Sequence, residues 1–82
     1  MDTHQNIKKI IAARLRTARL AAGWRYASQF ALRMGIYPSS YWHYERGNTA
    51  PRAERLAQIA DMLSVSTDWL LGLSDDGGPD TN

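Results

Sequence analysis

Apolar positions recur along this chain at intervals of three and four. Ile7, Ile10, Ile11, Leu15, Ala18 and Ala22 trace one face of a first helix, and Gly23 supplies a left-handed stop behind them. A second, short helix is expected from Tyr26 or Ala27 to Met34, with Phe30, Ala31 and Met34 turned inward and Gly35 ending it. In Ile36-Tyr37-Pro38 the residue before proline avoids the helical region, while proline itself suits the first helical position, so a third helix opens at Pro38. Tyr41 and Tyr44 share its inward face. Ser39, Trp42, His43 and Arg46 fall on the others, and Gly47 closes it. A fourth helix follows Pro51 with Leu56, Ile59, Ala60 and Leu63 as its buried stripe. A very short fifth begins at Ser66, a hydroxyl able to cap it, with Asp68 near its positive end and Gly72 behind it. No stretch alternates as a strand does. The pattern predicts an all-α, compact five-helix bundle over residues 7–73, preceded by an arm over 1–6. Asp75-Asp76-Gly77-Gly78-Pro79 is polar and flexible enough to predict a disordered tail over 74–82.

Size and composition narrow the function. Eighty-two residues make one small domain and leave no room for a large enzyme cleft. With no cysteine there is no disulfide or thiolate metal site. No apolar run approaches the ~20 residues that span a bilayer, so the chain is expected to be cytoplasmic, with no membrane partner. The net charge of +2 hides a strong asymmetry: residues 1–60 sum to +7 and residues 61–82 to −5. Such a basic part favours an anionic partner, most often nucleic acid. Lys8, Lys9, Arg14 and Arg16 read as a solvated helix face.

Two short helices joined through Met34-Gly35-Ile36-Tyr37 have the length and glycine-bearing turn of a helix-turn-helix. The wider string is more specific. Leu15-Arg16 with Arg19 and Gly23-Trp24, Phe30-Ala31 with Gly35-Ile36, Tyr44-Glu45-Arg46-Gly47, Pro51, and Leu63, Val65-Ser66 and Trp69-Leu70-Leu71-Gly72 follow in order. Together they resemble the phage repressor and Cro type of helix-turn-helix domain, the XRE family, over about residues 7 to 72.

The resemblance implies a prokaryotic or phage regulator of transcription, repressor-like, that places its third helix in the major groove of double-stranded operator DNA. It implies a homodimer, no cofactor, no metal and no enzymatic activity. Its base-reading positions fall on Pro38, Ser39, Trp42 and His43, and its phosphate contacts on Arg25, Tyr26, Ser40, Arg46, Asn48 and Arg52. Arg19 and Glu45 stand where the family pairs an arginine with the glutamate that ends its third helix. Family members often carry Gln, Arg, Lys or Asn at the groove positions. Here those residues are Pro, Ser, Trp and His, which predicts sparse purine readout and a share for DNA shape. The stretch from Trp24 to Gln29 is one residue longer than the commonest family pattern and lacks its usual glutamine.

Other readings of the same residues stand beside this one. Trp42 is expected outside the core because Tyr41 and Tyr44 claim the inward face. His43 has only His4 as a fellow histidine, too little for a metal site. Ser39 or Ser40 with His43 and Glu45 names the parts of a hydrolase triad, but a single short helix supplies neither oxyanion hole nor cleft. Trp24 and Trp69 are expected in the core, where large rings supply much of a small domain's buried area. Trp69, Leu70, Leu71 and Leu73 are candidates for a dimer interface, with plain core packing as the alternative. The same fold also serves in antitoxins, which gives a toxin protein as a second possible partner, and in the DNA-binding part of longer repressors.

Overall fold

The computed structural model describes residues 3–80, and side chains from residue 7. Five helices follow in order: α1 Thr3–Ala21, α2 Ala27–Met34, α3 Pro38–Glu45, α4 Ala53–Leu63 and α5 Thr67–Leu70, with no strand among the described residues. The helix α1 thus begins within the stretch assigned to an arm, since Thr3 to Asn6 contain no Gly or Pro to break it. Met1, Asp2, Thr81 and Asn82 lie outside the described residues.

Each helix buries the stripe its spacing marks out, except that Ala22 falls just past the end of α1 and is exposed. Ile11, Leu15 and Ala18 of α1 meet Phe30 and Ala31 of α2, Tyr41 of α3, Leu56, Ile59, Ala60 and Leu63 of α4, and Trp69 and Leu70 of α5 in one core. An aromatic row crosses that core. Trp24, Phe30, Tyr41 and Tyr44 meet edge to face, with successive centroids 5.6, 5.4 and 6.0 Å apart, a preferred aromatic geometry. The helices α2 and α3 pack on each other, α1 lies against α3 and α5, and α4 against α5. The radius of gyration is 11.7 Å, about what a compact chain of this length requires.

Two expectations change at the C-terminal end, although the core place expected of Trp69 holds. Trp69 and Leu70 belong to the core, and Leu71 packs against it half-buried, so only Leu73 remains largely exposed. A four-residue helix carries too few side chains both to anchor itself and to offer a separate apolar face. The second change is the tail, since residues 74–80 are not loose. Arg14 of α1 donates from Nη1 to the carbonyls of Trp69 (2.6 Å) and Ser74 (2.9 Å), and from Nη2 to Asp75 (3.3 Å). Its guanidinium lies 4.9 Å from the Trp69 ring centroid. The Ser66 amide donates to the Gly77 carbonyl at 2.8 Å. A Cβ at Gly77 would stand 2.5 Å from Ser66 Oγ, and one at Gly78 2.6 Å from the Trp69 ring. The glycines are here for close approach. Arg14 therefore leaves the solvated set to which its neighbours Lys9 and Arg16 belong.

Candidate nucleic-acid interface

The turn between α2 and α3 is anchored by Ile36, which is 3% exposed, and by backbone bonds from Gly35 to Leu32 and from Ile36 to Ala31. Pro38 takes the first position of α3, with Tyr37 extended before it. Tyr41 points into the core and thereby fixes which way the helix faces. Ser39, Trp42 and His43 are exposed, while Pro38 and Ser40 are half-buried at the rim. Trp42 is half-exposed, with its ring edge to face with His43 at 4.9 Å and the Arg46 guanidinium 4.5 Å from its centroid. The row is held in place before any ligand arrives.

Cations flank this face. Arg46 and Arg52 are exposed on one side, and an open cleft of about 750 Å³ between α3 and α4 brings Arg52 together with Ser40, His43 and Arg55. Arg55 was missed in the sequence. It stands three residues after Arg52, hence on the same side of α4, which is a signal the spacing did contain. At the other end Arg25 and Tyr26 are exposed and lie together, the guanidinium 5.7 Å from the ring centroid. Asn48 is also exposed, but its amide nitrogen lies 3.0 Å from His43 Nδ1.

Arg19 ties these parts together. It is 6% exposed, and it donates from Nε and Nη2 to the two carboxylate oxygens of Glu45, at 2.7 and 3.1 Å. From Nη1 it donates to the carbonyls of Trp24 (2.6 Å) and Arg25 (2.9 Å). One guanidinium thus fixes the end of α3 and the loop carrying Arg25. The bond to Glu45 raises the Arg19 pKa more than burial lowers it. The Tyr41 hydroxyl is buried beside the pair without a hydrogen-bond partner among the described residues. Burial, and then the neighbouring Glu45 carboxylate, push its phenol pKa far up.

The helix starts differ in a way that bears on ligand chemistry. The Ser66 hydroxyl caps α5, accepting from the Trp69 amide at 3.0 Å. At α2, α3 and α4 the capping positions are Tyr26, Tyr37 and Arg52, none with a side-chain cap bond. The first turns there receive no acceptor from the capping side chain, and a helix start of that kind suits water or a phosphate oxygen. No group of three His, Cys, Asp or Glu that could hold a metal ion occurs among the described residues, and no described helix is long and apolar enough to cross a membrane.

Residues 10–71, taking in all of α2 to α5, match the helix-turn-helix domain family. The chain belongs to that family. It is 41% identical over 51 residues to an uncharacterized HTH-type transcriptional regulator of Bacillus subtilis (strain 168), YobD, across 62% of this chain and 46% of that one. It is 44% identical over 45 residues to RstR, the cryptic phage CTXphi transcriptional repressor of Vibrio cholerae serotype O1, across 55% of this chain and 40% of that one. The chain therefore spans less than half the length of either relative. No solved structure matches at the level applied to these relatives.

Proposed function

We propose that this chain binds operator DNA and regulates transcription as a repressor does, with α3 in the major groove. The observation that carries the reading is the exposure of Ser39, Trp42 and His43 on one helix face, with Arg46 and Arg52 beside it. Ser39 can bond either kind of base, Trp42 can meet a thymine methyl, and His43 can bond a base edge. Arg25, Tyr26, Ser40, Arg46 and Arg52 hold the strands through phosphate oxygens and set the register without reading sequence. Both relatives are named as regulators of transcription, one of them a phage repressor. As a two-fold dimer the protein would meet half-sites about 34 Å apart, one helical turn.

Titrating the protein against labelled duplex from the region upstream of its gene, and against random duplex, tests this at several salt concentrations. With three arginines per subunit on phosphates, a dimer neutralises about six charges, and the log–log salt slope should lie near ~−5. Trp42→Ala and His43→Ala should reduce discrimination between the two duplexes, while Arg52→Ala should weaken both alike. Equal losses on all sequences for the first pair would remove them from base reading.

A further inference from the structure

The end of α3 is closed by a double backbone lock. Gly47 takes φ 76° and donates to the Tyr44 carbonyl at 3.2 Å, and the Asn48 amide donates to the His43 carbonyl at 3.0 Å. This pattern of two crossed bonds around a left-handed residue folds the following side chain back over the last helical turn. The side chain so returned is Asn48, and its Nδ2 reaches His43 Nδ1 at 3.0 Å. On its other side the His43 ring meets Trp42, itself covered by Arg46. The imidazole is thus held by both neighbours although it is exposed.

An amide nitrogen has only hydrogens to offer. With the Asn48 amide nitrogen toward the ring, His43 Nδ1 presents its lone pair and the single proton of the neutral ring sits on Nε2. We infer that Asn48 is a positioning residue for sequence reading: it fixes His43 as an outward Nε2–H donor that selects a base edge offering acceptors. Guanine fits best, with N7 and O6 side by side in the major groove. Cytosine fits worst, since its N4 amine is itself a donor. This rests on the proposed placement of α3 in the groove, and it turns Asn48 from an expected strand contact into a determinant of specificity.

Two measurements separate the parts of this inference. Two-bond 1H–15N spectra of the free 15N-labelled protein, under alkaline conditions that keep the ring neutral, report the tautomer without DNA. The wild type should carry the proton on Nε2. Asn48→Asp, whose carboxylate can only accept, should move it to Nδ1. A wild-type proton on Nδ1, or no response to Asn48→Asp, overturns the inference.

The second measurement is selection from a pool of duplexes randomised over the half-site. At whichever base pair loses its preference in His43→Ala, Asn48→Ala should reduce the guanine preference about fivefold, the worth of one hydrogen bond, and spare the other pairs. Asn48 is exposed, so its replacement leaves the core intact. A uniform loss across all duplexes makes Asn48 a strand contact and overturns the inference. If no pair responds to His43→Ala, the base-reading placement itself fails, and the spectra still decide the tautomer.

Discussion

Arg19 is the residue on which most of this arrangement depends, because four hydrogen bonds from one guanidinium join α1, the loop before α2 and the end of α3. Both side chains of the Arg19–Glu45 pair are nearly buried, at 7% and 11% exposure. Removing one partner leaves the other as an uncompensated charge. Arg19→Met should cost about 3 to 5 kcal/mol in urea unfolding, whereas a loss under about 1 kcal/mol would class the pair with exposed ones. Tyr41 poses the opposite case. Its hydroxyl is buried beside the pair with no hydrogen bond to the described residues, so Tyr41→Phe removes a desolvated polar group and no made bond. Stability should stay level or rise by up to about 1 kcal/mol, and a clear loss in the same urea experiment would reveal a bond to Glu45 or Arg19.

At the scale of elements, the C-terminal segment shows how a loop rich in aspartate and glycine becomes structure. The Asp75 side chain is fully exposed in its ion pair with Arg14, and such pairs contribute little. The charge-assisted bonds from Arg14 to the carbonyls of Trp69 and Ser74 are the stronger tie. Hydrogen exchange at the Ser66 amide, which is bonded to Gly77, reads the attachment directly. Arg14→Ala should accelerate that exchange about tenfold or more as the segment lifts away, while Asp75→Asn should leave it nearly unchanged. Equal acceleration in both would shift the weight to the ion pair. The helices themselves were legible because their stripes and stops are local features: Phe30, Tyr41 and Leu56 lie in the core as their spacing requires. The role of Arg14 was not legible, since its partners lie 55 to 61 residues away.

For the molecule as a whole, charge and scaffold act over different distances. Residues 1–60 carry +7 and residues 61–82 carry −5, and folding ties part of the acidic end back to α1 through Arg14 and Asp75. Interactions between exposed charges fade over about 10 Å at 0.1 M salt, so the arginines beside α3 dominate the field a strand would meet. The salt slope proposed above then implies a loss of about a thousandfold in affinity between 50 and 200 mM salt. A much flatter dependence would mean that fewer arginines reach phosphates than the exposed set allows.

The sequence by itself determined the five helices, their buried stripes, the family and the residue types at the third helix, because spacing, caps and stops are properties of neighbours along the chain. Only the tertiary structure decided that Leu70 fills the core, that Arg14 holds residues 74–80, and that Asn48 turns back onto His43. The first two join residues far apart along the chain. The last needs the three-dimensional course of a helix end, which apolar spacing alone does not describe.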